Sequence, residues 1–273
     1  MKTKFLHIAT ALLFAGFTSS CSDFLDRYPL DELSDSSFWK TENDAMMAVT
    51  DIYGCLPTWD QDEDINSDNA VHGIKWAAGN ISKGIYDPMD QSWAGSYTPI
   101  RQCNLVLEKV KDIEMSDESR KKIEGQAYFF RAFVYFNLIR SFGDVPYIDK
   151  PLNLTDVEDI TRTPREEVYA KVMADFDKAI EYLPEEWDAA NTPRVTKGAA
   201  LAMKARAALY YNNWQVAADA SKAVMDLGKY ELYDAGNTGK YQELFWEKSD
   251  GCDENILYVQ FNYPDKTHYL IGW

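Results

Sequence analysis

Residues 124–146 read EGQAYFFRAFVYFNLIRSFGDVP, and this stretch decides the fold. Two sets of apolar residues recur in it at helical spacing, so they define two neighbouring faces. The sets are Phe129, Ala132, Phe133 and Phe136, and Tyr128, Tyr135, Leu138 and Phe142. A helix that is apolar on most of its circumference must be surrounded by protein, so the sequence predicts a central scaffold helix. Gly143 suits the position just past its end, and Pro146 blocks a restart.

Two helices are predicted before this one. The first opens in the run from Phe38 and continues to about Gly54, with Thr41 or Asn43 as its N-cap. The second runs over residues 92–111, and its Pro99 is tolerated if it lies in the first turn. Because only a short turn separates residue 111 from the scaffold helix, the two should form an antiparallel pair.

Three more helices are predicted after the scaffold helix. In the first of them Thr163 is the expected N-cap and Pro164 the first helical residue. One face of this helix carries Val168, Val172, Phe176, Ala179 and Leu183. A helix ending at Tyr211 and its partner over residues 214–227 carry small residues where they would cross closely. These are Ala202, Ala205, Ala217 and Ala220, and the pair is like a tetratricopeptide unit. Successive helix pairs predict a right-handed helical array.

Residues 57–96 have a different composition, in which glycine and proline recur without sustained periodicity. Aromatic rings stack on the apolar faces of sugars, and amides and carboxylates bind their hydroxyl groups. The ligand-binding candidates are Trp59, Trp76, Asn80, Tyr86 and Trp93. The structural alternative is that these rings cover the helices beneath a long loop. The acidic run 60–64 fails the EF-hand pattern, which leaves an irregular Ca²⁺ site as a further alternative and no other cofactor expected.

The first 20 residues have the layout of a secretory signal peptide, with Lys2 and Lys4 before an apolar run and small residues before Cys21. A cysteine at that position resembles a bacterial lipoprotein cleavage site, although Thr18 stands where that pattern usually has leucine. Cys21 is therefore the expected lipidation site, and a lipid anchor the expected attachment to the membrane. The alternative is an ordinary cleaved signal with a coincidental cysteine.

Composition excludes several classes of function. The formal net charge is −16, which argues against a nucleic-acid binder and against attachment to anionic lipid by charge. The chain has three histidines and no motif of a hydrolase, metalloprotease or nucleotide-binding protein, so we expect no catalysis and no metal. A glycosidase remains an alternative, because it needs only two positioned carboxylates. Cys55, Cys103 and Cys252 are expected to be buried thiols, and no disulfide pairing among them can be chosen.

Several motifs in the same order resemble the SusD/RagB family of outer-membrane nutrient-binding lipoproteins. They are the E-G-Q-A-Y-F-F-R-A-F stretch from Glu124, F-W-K-T-E-N-D-A from Phe38, W-x-x-x-Y-x-x-I-x-x-x-N from Trp93, T-P-R-E-E-V-Y from Thr163 with its later D-x-D-x-A-I and L-P, P-R-V-T-K-G-A-A from Pro193, and E-x-I-L-x-x-Q from Glu254. The run C-S-D-F-L-D after Cys21 resembles the mature start of such proteins and their surface-export signal.

The resemblance implies a mainly α fold of the SusD type, with tetratricopeptide-like helix pairs and a long loop-rich insertion. It implies a signal peptide over residues 1–20, an N-terminal helical domain over 21–228 and an incomplete C-terminal region over 229–273. Residues 254–261 are expected to form a strand or a buried extended segment. Family members continue for about as long again, so we expect this chain to be truncated.

The function implied by the resemblance is that of a non-catalytic, surface-exposed lipoprotein of the cell outer membrane. It would bind an oligosaccharide and pass it to a SusC-like TonB-dependent transporter. Two alternatives stay open: a helical-repeat scaffold that binds only its partner protein, and a protein that binds peptide nutrients. The sequence does not name the ligand.

Overall fold

Helices make up most of the computed structural model, which describes residues 38–56, 84, 93–156, 159–233, 241–245 and 251–261. The six α-helices of these ranges are α1 (Glu42–Ile52), α2 (Trp93–Lys109), α3 (Asp117–Phe142), α4 (Arg165–Tyr182), α5 (Lys197–Tyr210) and α6 (Trp214–Asp226). Within the same ranges, β pairing is limited to one isolated bridge. The mainly α fold class predicted from the sequence is therefore confirmed. Contacts divide the chain into residues 1–40 and 41–273, and all six helices belong to the second unit.

The predicted scaffold helix is α3, and it packs against α1, α2, α4 and α5. Four of its aromatic residues are almost completely inaccessible to solvent: Phe129, Phe130 and Tyr135 at 0% exposure and Phe136 at 1%. Ser116 caps the start of α3 by accepting a 3.0 Å hydrogen bond from the amide of Ser119. Gly143 ends it at φ 70, a left-handed conformation that favours glycine, as predicted.

Helices α1 and α2 lie beside α3, and most of their sequence signals are confirmed. Thr41 is the N-cap of α1 and forms a reciprocal capping box with Asp44. Helix α2 starts at Trp93, which puts Pro99 in its second turn rather than its first, so that expectation was wrong. Because proline has no N–H, the carbonyl of Gly95 receives no intrahelical bond from position 99.

The start of α4 corrects another sequence prediction. The helix begins at Arg165, with Pro164 as the N-cap residue, instead of beginning at Pro164 with Thr163 as the cap. Thr163 is held elsewhere, because it pairs with Val145 through both backbone hydrogen bonds. The carboxylate of Asp144 accepts a 3.0 Å hydrogen bond from the Arg165 amide and so supplies the missing cap. The predicted apolar face of α4, from Val168 to Leu183, is buried as expected.

Helices α5 and α6 form the predicted antiparallel pair. Thr196 caps α5, and Asn212 makes the turn between the two helices at φ 57. Ala217 and Ala220 are buried as expected, whereas Ala202 and Ala205 are only half-buried. Tyr211, at the end of α5, stacks on Tyr169 of α4 with ring centroids 4.4 Å apart, which joins this pair to the rest of the array.

A buried ion-pair network, the Arg131 network, joins α2, α3 and α4. The guanidinium of Arg131 donates two 2.7 Å hydrogen bonds to the Asp175 carboxylate and a 2.8 Å bond to the side-chain oxygen of Asn104. Asn104 in turn donates to the carbonyl of Ile148, in the connection after α3. Burial raises the pKa of Asp175, and the hydrogen bonds and charge of Arg131 oppose that shift.

A second set of polar residues, the Gln126 cluster, joins α1, α3 and the segment before α5. The side-chain oxygen of Gln126 accepts from the Tyr53 hydroxyl at 2.8 Å and from Arg194 at 3.3 Å. The Tyr53 oxygen also accepts a 2.9 Å hydrogen bond from the Val195 amide. Arg194 extends to Thr50 on α1. The polar residues within the family-like motifs therefore hold the helices together.

Residues 254–261 form neither a strand nor a fully buried segment, so this prediction was wrong. Bends and turns run through residues 253–257, and most of the segment is half-buried. The carboxylate of Glu254 accepts a 2.6 Å hydrogen bond from the Tyr233 amide, and the Asp253 carbonyl accepts one from Glu231. These local bonds occupy the groups at the start of the segment. A β-strand would also need a neighbouring strand, and the described residues provide none.

Candidate functional site

Trp93 is the one predicted binding residue that the structure describes. Its ring lies edge-to-face on Phe142 at 4.9 Å and 6.0 Å from the ring of Tyr97. The guanidinium carbon of Arg162 lies 5.2 Å from the Trp93 ring centroid, within the range of a cation–π contact. Trp93 is half-buried, so it anchors the start of α2 against the end of α3 and still exposes part of its surface.

The other sequence-predicted sites lie outside the described residues. These are Trp59, Trp76, Asn80 and Tyr86 of the ligand-binding set, the lipidation residue Cys21, and the acidic run 60–64. All of these assignments therefore stay predictions.

A cleft of about 430 Å³ lies between α1, α2 and α3. Asp51, Gly54 and Cys55 line it from the end of α1 and the turn that follows. Helix α2 contributes five residues, Gly95, Ser96, Thr98, Pro99 and Gln102, and α3 contributes Phe133, Val134 and Asn137. Residues close to both ends of the segment 57–92 therefore line this cleft. We call it the three-helix cleft.

The polar groups of the three-helix cleft are partly engaged with one another. The side-chain amide of Gln102 donates to the carboxylate of Asp51, which links α2 to α1 across the cleft. Asn137 lies one helical turn after Phe133 on α3, and its carboxamide makes no hydrogen bond to any described residue. The cleft thus combines one carboxylate, two carboxamides, hydroxyl groups and an aromatic ring, which is the mixture found in small-molecule sites.

Burial disfavours the reactive thiolate form of Cys55 and Cys103. Burial raises the pKa of the Cys55 thiol to about 12, and it raises the pKa of the fully buried Cys103 as well. Cys55, Cys103 and Cys252 are free thiols in the structure. Cys103 is buried as the sequence predicted, whereas Cys55 and Cys252 are half-buried.

A smaller cavity of about 260 Å³ lies beside the Gln126 cluster, between α1 and residues 190–194. Thr50, Tyr53 and Arg194 line it, and all three already have hydrogen-bond partners. Its polar groups therefore leave less bonding capacity for a ligand than those of the three-helix cleft. The described residues contain no group of three or more histidine, cysteine or acidic side chains placed to hold a metal ion.

No helix within the described ranges is long and apolar enough to cross a bilayer.

Sequence reasoning missed the three-helix cleft, because its lining comes from three helices separated along the chain. It also missed the Arg131 network and the Gln126 cluster. The available signal was that Gln126 and Arg131 interrupt an otherwise apolar helix, since polar groups in such a position need buried partners.

Comparison with known proteins places the chain in a family. A sequence profile described as SusD-like, starch-binding and associating with the outer membrane matches residues 24–209. The SusD-like protein P2 of Formosa agariphila is 29% identical over 95% of this chain and 53% of its own length. This chain spans about half the length of the curated relatives it matches.

Solved structures agree with the sequence comparison. The crystal structure of a SusD-like protein from Bacteroides fragilis superposes with a TM-score of 0.75 at 28% identity, over 88% of this chain and 48% of that one. A laminarin-binding SusD-like protein superposes with a TM-score of 0.71 at 23% identity, over 82% of this chain and 52% of its own, and shows the shared fold. The chain therefore belongs to the SusD-like family, which is described as starch-binding and associating with the outer membrane.

Proposed function

We propose that this protein binds an oligosaccharide at the cell surface and delivers it to a SusC-like TonB-dependent transporter in the outer membrane. The observation that carries the proposal is the family match over residues 24–209, a family described as starch-binding. Related proteins that bind glycans support it, among them one named as laminarin-binding. Because this chain spans about half of its relatives, the activity of the whole protein is a proposal.

The proposed binding patch consists of Trp59, Trp76, Asn80, Tyr86 and Trp93. Indole and phenol rings offer apolar faces to sugar rings, and the Asn80 carboxamide offers both donors and an acceptor to hydroxyl groups. The partly exposed ring of Trp93 is the part of this patch that the structure describes, and Trp93 is not among the residues that line the three-helix cleft. Binding alone is proposed, without hydrolysis of the glycan.

The proposed attachment to the membrane is a lipid on Cys21, after cleavage of residues 1–20. Two or more acyl chains would hold the protein at a bilayer despite its net charge of −16, which disfavours attraction to anionic lipid. Mass spectrometry of the protein extracted from outer membranes tests this proposal. Acyl chains on Cys21 are expected, and an unmodified Cys21 would contradict it.

Binding is tested by titrating the full chain with a panel of neutral and acidic oligosaccharides and following tryptophan fluorescence. Replacement of Trp93 by alanine is expected to weaken binding about 2- to 12-fold, since an aromatic ring contact contributes about 0.5–1.5 kcal/mol. Trp214→Ala is the matched control, because Trp214 is 60% exposed and lies outside the proposed patch. Equal affinities of the wild type and the Trp93 variant would contradict the assignment of Trp93.

A second candidate function is a scaffold that binds only its partner protein, and one observation favours it. Leu209, Tyr210 and Trp214, at the turn between α5 and α6, are each more than half exposed. Large exposed apolar residues in one place are typical of protein interfaces. If Trp214→Glu abolished co-isolation with the transporter while no glycan in the panel bound the wild type, the scaffold function would replace the proposed one.

A further inference from the structure

We infer that the three-helix cleft holds one neutral sugar unit of the bound glycan. This inference rests on the proposed function and deepens it, because it assigns residues and a ligand charge to one part of the binding site. The cleft has a volume of about 430 Å³, within the range of small-molecule sites. Because it is open to solvent, the rest of a longer glycan can continue outside it.

The hydrogen-bonding groups of the cleft match the hydroxyl groups of a sugar. The Asn137 carboxamide makes no hydrogen bond to any described residue, so two donors and an acceptor remain available. The Thr98 hydroxyl, on the facing helix α2, likewise makes no hydrogen bond within the described part of the chain. Asp51 accepts from Gln102 through one oxygen, Oδ2, which leaves Oδ1 as an acceptor for a sugar hydroxyl.

An aromatic ring borders the same cleft. Phe133 is half-buried, and its ring lies nearly parallel to that of Phe129, with centroids 6.3 Å apart and an interplanar angle of 10°. Phe129 is itself fully buried, so Phe133 is supported from within the core. A supported aromatic ring next to free amide and hydroxyl groups can pack against the C–H groups of a sugar while its hydroxyls bind the polar side chains.

The charge of the lining selects a neutral sugar. Among the described residues that line the cleft, Asp51 carries the one formal charge, and none is an arginine, lysine or histidine. A uronate or a sulfated sugar would therefore meet a like charge from Asp51 and no pairing cation among these described residues, in a chain of net charge −16. A neutral sugar avoids this repulsion and can donate a hydroxyl hydrogen bond to the Asp51 carboxylate.

The affinity experiment uses the full chain with maltoheptaose and laminarihexaose as neutral probes and tetragalacturonate as an acidic probe. Asn137→Leu and Thr98→Val remove hydrogen-bonding groups with little change in volume. Each is expected to weaken binding of the neutral probe about 3- to 10-fold, the value of one lost hydrogen bond. Thr192→Val in the smaller cavity is the control and is expected to leave the affinity unchanged.

A second measurement does not depend on substitutions. Cys55 lines the cleft, whereas the half-buried Cys252 does not, so slow alkylation by iodoacetamide, over several hours at mildly alkaline pH, can be followed at both by peptide mass spectrometry. A saturating neutral probe is expected to slow alkylation of Cys55 at least about 3-fold, in line with the loss of access on binding. The rate at Cys252 in the same sample is expected to stay unchanged.

The outcomes separate this inference from the proposed function. If the wild type binds none of the probes, the proposed function fails, and the inference fails with it. If a neutral probe binds but Asn137→Leu and Thr98→Val bind it equally and Cys55 is not protected, the inference alone is overturned. Tighter binding of tetragalacturonate than of both neutral probes would overturn the assignment of a neutral sugar. Weaker binding by the cleft variants together with protection of Cys55 supports the inference.

Discussion

Arg131 of α3 and Asp175 of α4 form a bidentate ion pair, with both N–O distances at 2.7 Å, and each residue is less than 10% exposed. The planar guanidinium matches the two carboxylate oxygens, which is why arginine suits this position better than lysine. Asn104 binds the same guanidinium, so one side chain connects three helices. The buried arginine of the scaffold helix thus serves its packing.

Asp175→Asn is expected to destabilise the protein by about 3 kcal/mol, because it leaves the charge of Arg131 buried without its counterion. Urea unfolding followed by circular dichroism measures the change. Asp226→Asn is the control, since it breaks an exposed pair with Lys222 that contributes less than about 1 kcal/mol. Equal losses of unfolding free energy in the two variants would contradict a structural role of the buried pair.

The close approach of α3 and the end of α4 at Gly125 can be tested with alanine. A Cβ atom at Gly125 would lie 3.0 Å from Leu183 Cγ and 3.1 Å from Tyr182 Cβ, whereas one at Gly95 in α2 would meet nothing within 4 Å. Gly95→Ala is expected to stabilise the protein by about 0.5 kcal/mol through helix propensity. Gly125→Ala should be at least about 1 kcal/mol less stable than Gly95→Ala, because crowding opposes the same gain. Equal free energies of unfolding for the two variants would show that the helices can separate freely.

Alkaline pH is expected to destabilise the protein partly through Tyr53. Burial raises the pKa of Tyr53 from 10.0 to about 12, against the opposing effects of its hydrogen bond with Val195 and of Arg194. Between these pH values the unfolded chain releases the phenol proton while the folded protein retains it. The free energy of unfolding therefore falls as the pH rises from 10 to 12, by an amount on the order of 2 kcal/mol for this group.

Tyr53→Phe is expected to lower stability at neutral pH and to make the alkaline decline shallower. Urea unfolding at several pH values measures both effects. Tyr210→Phe, which removes the hydroxyl of a tyrosine that is 55% exposed, is the control for the loss of a phenol. The same slope in the wild type and Tyr53→Phe would rule out the contribution of Tyr53.

The turn between α5 and α6 depends on a left-handed residue. Asn212 has φ 57, a conformation that asparagine and glycine adopt more easily than alanine. Asn212→Ala is expected to cost about 1 kcal/mol, and Asn212→Gly less than about 0.5 kcal/mol. Asn212 is exposed, so lost packing does not complicate the comparison of their unfolding midpoints. If the glycine variant were as destabilised as the alanine variant, backbone conformation would not explain the choice of asparagine.

Helices and most of their ends could be predicted because their signals are local. The capping box of Thr41, the glycine after α3 and the apolar face from Val168 all act within a few residues. The cap of α4 could not be predicted in the same way, because it comes from Asp144, which is 21 residues before Arg165. The strand expected over residues 254–261 failed for a related reason, since its β-forming residues still required a partner strand.

The candidate site was less predictable than the fold. Composition pointed to Trp93, but not to its contact with Arg162, which follows it by 69 positions in the chain. Asp51, Gln102 and Asn137 each resemble ordinary surface residues in the sequence and become a group only when three helices meet. Similarly, the partner of Arg131 lies 44 residues away, beyond any spacing within one helix.

The position of the three-helix cleft has a consequence for how proteins with this scaffold can diversify. Residues close to both ends of the segment 57–92 border this cleft, whereas the described members of the Arg131 network and the Gln126 cluster belong to other parts of the chain. Lengthening a connection costs little, about 0.6 kcal/mol for each doubling. Exchange of residues 57–92 between homologues is therefore expected to transfer ligand preference while the helical framework stays unchanged.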